Sequence, residues 1–262
     1  MKVFSFRNIR VVILLSILAM AAIYTQEQRL NTTAWFKPIE VTIFPINGDN
    51  TLATEQYITQ LSGRDFQDID DFFARGAKQY HLIAKQPIAT TLGKTIQHKP
   101  PTPPENRNSI FSVMMWSLNL RYWAWKNTPD NKTNTNRIRL YVLYHQAQQG
   151  QSLEHSLGLQ KGLIGVIHAF ADKRLNPQNA LVMSHEVLHT VGAIDKYDYN
   201  NQPVYPIGYA DPSQTPLYPQ RFAEIMAGRI PVSERKAKIP KTLRHVLIGE
   251  ATAKEINWLT TP

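Results

Sequence analysis

Residues 184–195 read SHEVLHTVGAID, and the spacing of the polar residues in this stretch indicates a metal site. His185 and His189 are four residues apart, so on a helix their imidazoles lie one turn above each other and can reach the same ion. Glu186 follows the first histidine and faces the same cleft, where it can accept a proton from an attacking water. The stretch therefore predicts a helix with two histidine ligands and a glutamate general base.

The flanking residues predict where this helix begins and ends. Asn176 is a favourable N-cap and Pro177 suits the first helical position, so we expect a helix over residues 177–191. Gly192 can adopt the left-handed conformation that ends a helix, and that turn would return Asp195 to the ion as a third ligand. A bare HExxH pattern also occurs by chance in ordinary helices. The glycine, the aspartate and a helix start in register argue against chance.

With its glycine and aspartate the pattern becomes HExxHxxGxxD, which resembles the signature of the metzincin metallopeptidases in the aspartate form of the small snapalysin-like members. The resemblance implies a catalytic zinc ion held by His185, His189 and Asp195. It also implies a methionine turn beneath the metal, for which Met226 in the run RFAEIMAGRI is the candidate. The alternative for this methionine is a role in filling the core.

Two further residues near the signature bear on the site. Some metzincins carry a tyrosine two residues after the methionine, where this chain has Gly228, so a tyrosine that contacts the oxyanion or the substrate would come from elsewhere. Tyr197, in a proline-rich and tyrosine-rich loop over residues 196–220, is our candidate. Glu224 is a rival third ligand, because the gluzincins take theirs from a glutamate on a separate downstream helix.

The order of segments favours an α/β (α+β) fold. Residues 137–145 alternate and predict a strand, and residues 162–170 predict a second strand, which we expect at the sheet edge, where a peptide could bind by β-augmentation. Residues 109–126 predict an apolar helix that packs on the sheet, with a lid, a substrate wall or a membrane-facing insertion as alternatives. The other predicted elements are a strand at 38–46, helices at 51–61 and 64–78, and a C-terminal helix at 250–258. The resemblance implies a minimal metzincin-like domain with a mixed twisted sheet.

The first 25 residues predict export. Three basic residues precede an apolar run over residues 11–24, which fits a secretory signal peptide and is shorter than the about 20 residues that a membrane span needs. An uncleaved signal anchor is the alternative, because the candidate cleavage site at Ala19 and Ala21 lies inside the apolar run. Residues 26–262 then form the metallopeptidase domain, periplasmic or extracellular, with residues 26–37 as a spacer.

The composition limits the chemistry and the partners. The 262 residues suffice for one domain with a core, and the absence of cysteine excludes a thiol nucleophile, a disulfide or a cysteine-ligated zinc. The net charge of +9 favours anionic surfaces such as lipid head groups or cell-wall polymers. The basic residues are scattered and no nucleic-acid motif accompanies them, so we expect no nucleic-acid partner.

These observations lead to three hypotheses. The first is a monomeric zinc-dependent peptidase that hydrolyses peptide bonds in a peptide or protein substrate. The second is an exported non-catalytic zinc-binding protein, which would have no need of Glu186 as a base. The third is a metal-dependent amidase that acts on cell-wall peptides, which the basic charge would suit.

Overall fold

The computed structural model describes residues 6–104, 106, 109–128, 137–147, 156–160 and 162–259. Within these ranges the chain forms six α-helices and nine β-strands. In chain order the elements are α1 (Phe6–Thr33), β1 (Ile39–Asn47), α2 (Leu52–Thr59), α3 (Gln67–Gln79), β2 (Ile88–Leu92), α4 (Ile110–Asn127), β3 (Ile138–His145), β4 (Leu157–Leu159), β5 (Ile164–Phe170), α5 (Asn176–Thr190), β6 (Ala223–Glu224), β7 (Ile230–Ser233), β8 (Lys236–Lys238), β9 (Val246–Leu247) and α6 (Glu250–Glu255).

The central sheet has five strands in the order β2-β1-β3-β5-β4. The first four strands are parallel, and β4 pairs antiparallel with β5 at one edge. Parallel strands need crossover connections, which here carry helices to both faces of the sheet. The predicted α+β class and the mixed sheet are confirmed, as are the two strands predicted over residues 137–145 and 162–170.

The prediction that residues 162–170 form the edge strand is wrong. Leu157 pairs with Val166 and Leu159 pairs with Ile164, so β4 covers the outer side of β5 and is itself the edge. The three residues of β4 carry a glycine in the middle, and so short a segment has no periodicity that sequence reasoning can detect.

The central strands are buried on both faces and therefore contribute to two cores. Along β3, Ile138, Leu140 and Val142 pack with α3 and α5, whereas Tyr141 and Leu143 pack on the other face. Successive side chains of a strand point to opposite faces, and the observed alternation follows from this period of two. The sheet thus separates a large core beneath α5 from a smaller core beneath α4.

Helix α4 packs on the sheet, as predicted, through a narrow inner stripe. Leu120 and Ala124 are fully buried in the smaller core. On the outer side Phe111, Tyr122 and Trp125 expose 68%, 59% and 62% of their surface. The helix is therefore apolar on both sides, and only one side is covered within the described ranges.

The N-terminal helix extends further than predicted. Helix α1 is continuous across residues 25 and 26, and Thr32, Thr33 and Trp35 are buried, so the interpretation of residues 26–37 as a spacer is wrong. The Trp35 indole donates to the Ile256 carbonyl at 2.6 Å, which ties this segment to the C-terminal part of the chain. None of the described helices combines the length and hydropathy that crossing a bilayer requires. Residues 1–5 of the predicted signal lie outside the described residues, and the signal or anchor stays a prediction.

Candidate metal centre

Helix α5 begins slightly earlier than predicted and without the predicted cap. Leu175 occupies the N-cap position, and Asn176 belongs to the first turn together with Pro177. The Asn176 amide oxygen accepts from the Tyr57 phenol at 2.5 Å, and its nitrogen donates to Asp65 at 3.2 Å. These contacts with distant parts of the chain replace the local capping bond, so the N-cap assignment is wrong although the helix is confirmed.

The C-terminal end of α5 turns where the sequence predicts. Gly192 has φ of 109°, a conformation that strains any residue with a Cβ. The backbone N–H groups of Gly192 and Ala193 donate to the carbonyls of His189 and Leu188, at 3.2 and 3.0 Å. This left-handed turn reverses the chain and brings Asp195 back over the last turn of the helix.

The turn places three potential ligand atoms in a nearly equilateral triangle. The Nε2 atoms of His185 and His189 lie 3.0 Å apart, and each is 3.1 Å from Oδ1 of Asp195. Ligands of a tetrahedral zinc ion at about 2.0–2.1 Å are separated by about 3.3 Å. This group could hold a metal ion.

The other nitrogen of each imidazole fixes its tautomer. Nδ1 of His185 lies 3.0 Å from the Ile225 carbonyl, and Nδ1 of His189 lies 2.8 Å from the Ala193 carbonyl. A carbonyl can only accept, so both Nδ1 atoms carry a proton, and in the neutral imidazoles both Nε2 atoms are left with a lone pair. Two lone pairs at 3.0 Å repel unless a cation lies between them, and the arrangement therefore suits a metal.

Interactions within this group shift the pKa values of Asp195 and His185 in opposite directions. Burial alone would raise the pKa of Asp195, but hydrogen bonds that His185 and His189 donate from Nε2 when both imidazoles are protonated hold it far below its usual range. Burial alone would lower the pKa of His185, but its hydrogen bond to Asp195 and the charge of Glu186 raise it. The carboxylate is therefore ionised and ready to bind a cation.

Glu186 differs from the three potential ligand residues in its burial and in its hydrogen bonding. The residue is buried, and burial raises the pKa of its carboxyl group. Its Oε2 atom has no hydrogen-bond partner among the described residues. A buried oxygen left without a partner is uncommon and often marks a group with a chemical role.

The candidate methionine turn contacts both ligand-bearing segments. Met226 is fully buried, and the N–H groups of Ala227 and Gly228 donate to the Glu224 carbonyl, which closes a tight turn around it. The Ile225 carbonyl of this turn is the partner of His185 Nδ1. Met226 thus lies in a turn that orients the first histidine, and it also belongs to the large core.

The rival ligand Glu224 is engaged elsewhere. Its side chain is fully buried and accepts hydrogen bonds from the Thr252 hydroxyl at 2.6 Å and from the N–H groups of Ala227 and Gly249, at 3.0 and 3.2 Å. The carboxylate fastens the turn to the start of α6. Asp195, and not Glu224, lies with the two histidines.

Two hollows flank the group. A groove of about 590 Å³ is lined by His185, Glu186 and Tyr197, and a recess of about 340 Å³ lies beside His189 and Arg121. Burial and the charge of Asp195 raise the pKa of the Tyr197 phenol to about 12, so it is protonated at neutral pH and can donate a hydrogen bond. The structure thus places Tyr197 on the groove wall, as its predicted role requires.

Edge strand β4 crosses the site closely, a feature that the sequence did not indicate. A Cβ at Gly158 would lie 2.5 Å from the Glu186 carbonyl and 2.8 Å from Cβ of His189, so only glycine allows this approach. Lys196 and Glu255, which form a buried ion pair beside Asp195, were also missed because no motif marks them.

No protein-family model matches this chain, and it has no significant match among curated proteins.

Proposed function

We propose that this protein is a zinc-dependent endopeptidase of the metzincin type. The observation that carries the proposal is the triangle of His185, His189 and Asp195 with Glu186 beside it, whose Oε2 atom has no partner among the described residues. A structural zinc site is usually closed by four protein ligands, whereas three ligands and an adjacent groove are typical of a catalytic one. The zinc-binding motif, its turn and the buried Met226 support the metzincin type.

The donor set favours zinc. Two imidazole nitrogens and one carboxylate oxygen lie at nearly equal separations. Such nitrogen and oxygen donors, three in number, are typical of catalytic zinc sites. Zinc held in this way supplies a Lewis acid and makes water a nucleophile near neutral pH. The remaining chemistry falls to the side chains of the chain itself.

Glu186 takes the role of general base and then of general acid. Burial raises the pKa of its carboxyl group toward neutral pH. The carboxylate can therefore accept a proton from the attacking water and pass it to the leaving amine. Tyr197 donates its phenolic proton in a hydrogen bond to the oxygen of the scissile carbonyl as negative charge develops there. A peptide in an extended conformation can pair with β4, which is the edge strand of the sheet among the described residues and lies close to α5.

The proposal includes the cellular context. We propose export, with residues 1–25 as a signal peptide or an anchor and the catalytic domain as a monomer in the periplasm or outside the cell. The basic start and the exposed apolar side chains of α1, from Val11 to Ile23, support this. N-terminal sequencing of the exported protein distinguishes a cleaved signal from a retained anchor.

The test is to compare wild type with Glu186→Gln for zinc content and for hydrolysis of a peptide library that includes cell-wall peptides. We expect the variant to retain zinc and to lose about 10² to 10⁴-fold in turnover, the usual contribution of a positioned base. Glu250→Gln, at an exposed position, is the matched control. Undiminished hydrolysis by Glu186→Gln would refute the mechanism. Cleavage of cell-wall peptides alone would favour the amidase, and a zinc-loaded protein that cleaves nothing would favour the non-catalytic binding protein.

A further inference from the structure

The recess beside His189 has walls from two separate parts of the fold. Ser117 and Arg121 of α4 form one wall, and residues 158–160 of β4 and the turn after it form the other. The turn that follows the second histidine closes the recess. A peptide aligned on the edge of β4 would therefore carry one of its side chains into this recess, next to the metal-binding group.

Arg121 is a half-buried arginine whose charge has no partner among the described residues. Its Nε atom is buried without a hydrogen-bond partner among the described residues, and the one hydrogen bond of its guanidinium there is a long contact of 3.4 Å to Oγ of Ser117. No carboxylate in the described part of the chain lies within ion-pair distance of it. A guanidinium stays charged at any physiological pH, and burying a charge without a partner is unfavourable.

Two other partly buried arginines, Arg137 and Arg139, have partners of a kind that Arg121 does not have among the described residues. Arg139 donates to the Gly162 carbonyl at 3.1 Å. Arg137 lies 3.9 Å from a Glu40 carboxylate oxygen. The stem and the Nε atom of Arg121 pack beside Gly162, and the residue contributes to the lining of the recess. Arg121 therefore brings a positive charge to the recess beside His189.

We infer that Arg121 forms a carboxylate-binding subsite that selects an acidic side chain of the peptide substrate. This inference rests on the proposed peptidase function. The planar guanidinium matches the two oxygens of a carboxylate in a bidentate pair, and the Ser117 hydroxyl and the Gln160 amide, which line the same recess, offer further donors. The ligand class is the carboxylate of a substrate aspartate or glutamate.

The experiment uses pairs of amidated peptides that differ by one glutamate or glutamine at each position on either side of the cleaved bond. For wild type we expect one position at which the glutamate peptide has a kcat/KM about 10 to 100-fold higher than its glutamine partner. In Arg121→Gln this ratio should fall to about 1, and in Arg121→Lys, which keeps the charge but not the fork, it should be intermediate. Lys126→Gln, exposed on the same helix, should keep the wild-type ratio.

Two outcomes would overturn the inference: no acidic preference in wild type, or an acidic preference that survives in a folded Arg121→Gln protein. A third set of peptides, with a free C-terminal carboxylate and no acidic side chain, separates the two sources of a carboxylate. Preference for that set alone would also contradict a side-chain subsite. Thermal unfolding monitored by circular dichroism checks that the variants are folded.

Binding measurements keep this test separate from that of the peptidase function. The same peptides are titrated calorimetrically into the Glu186→Gln protein, with and without Arg121→Gln. If no peptide is hydrolysed by wild type but the glutamate peptide binds more tightly in an Arg121-dependent way, the subsite stands and the peptidase proposal fails. If hydrolysis occurs and neither kcat/KM nor binding depends on Arg121, the peptidase proposal stands and the subsite fails.

Discussion

The ammonium of Lys196 lies 2.7 Å from Oε2 of Glu255 in the interior of the protein. The same oxygen accepts the backbone N–H of Ile194 at 3.1 Å, and the ammonium also donates to the Ile194 carbonyl at 3.0 Å. The residues on both sides of Asp195 are thereby fastened to α6. The side chain of Asp195 is partly exposed, yet the residues on either side of it are held by an ion pair whose ammonium is fully buried.

Glu255→Gln should therefore weaken both the fold and the metal site. The side chain of Lys196 is fully buried, so removing its partner leaves an uncompensated charge, which we expect to lower the free energy of unfolding by about 2–4 kcal/mol. Zinc affinity should fall about 10-fold, as is usual when a residue that orients a ligand is changed. Urea denaturation and competition with a chromophoric chelator measure the two effects.

A double variant provides the control for this prediction. Lys196→Met combined with Glu255→Gln removes the stranded charge and should be more stable than Glu255→Gln alone, because the two positions are coupled. Glu250→Gln breaks an exposed pair with Lys254 and should change the stability by less than about 0.5 kcal/mol. Strictly additive effects of the two buried substitutions would contradict the coupling.

Asp195→Ala and Glu224→Gln should distinguish the residue that binds the metal from the residue that only stabilises the fold. The first removes one of the three converging donors and should lose most bound zinc while the protein stays folded. The second alters a carboxylate that accepts three hydrogen bonds in the core, so it should lower the stability and leave one zinc per chain. Metal content by atomic emission decides between them, and the reverse result would make Glu224 the third ligand.

Tyr197→Phe should lower turnover without loss of metal. The phenol lines the groove with His185 and Glu186, and loss of one donor to a developing oxyanion typically lowers the rate on the order of 10²-fold. We expect the decrease in kcat rather than in zinc affinity. Tyr199→Phe is a suitable control, because Tyr199 is fully exposed in the same loop. Equal rates for the two variants would remove Tyr197 from the mechanism.

Asp49 should make the stability depend on acid pH. Burial alone would raise its pKa, but hydrogen bonds from the Gln146 N–H and from Thr51 and Thr54 lower it to about 2. Because the folded-state pKa lies below the unfolded value, the stabilisation is present above about pH 4 and is lost as the pH falls toward 2. Asp49→Asn should lower the unfolding free energy at pH 7 by about 1 kcal/mol, a value reduced for solvent screening.

Urea denaturation at pH 7 and at pH 3 tests this dependence. The difference between wild type and Asp49→Asn should shrink at the lower pH, because the carboxyl group of the unfolded chain takes up a proton there while the folded one stays largely ionised. Glu234→Gln, an exposed carboxylate with no hydrogen bond among those described, should show no such change. A difference that stays constant with pH would mean that Asp49 acts through its shape rather than its charge.

The sequence by itself determined the helix with its paired histidines and the turn that follows it. His185, Glu186 and His189 are related by the helical period, and the turn at Gly192 requires only the conformational freedom of that residue. The converging donors thus lie within one short segment, and their relative positions follow from local backbone geometry. The same holds for β3, whose alternation is local.

Only the tertiary structure decided what surrounds this segment. Strand β4, the pairing of Lys196 with Glu255 and the position of Arg121 beside His189 all join parts of the chain that are far apart in sequence. Asn176 is an example at a single residue. Its side chain contacts Tyr57 and Asp65 and does not form the helix cap that the local sequence predicts. Such partners are selected by the free energy of packing the whole domain, to which many distant residues contribute, and no spacing within a short segment encodes that choice.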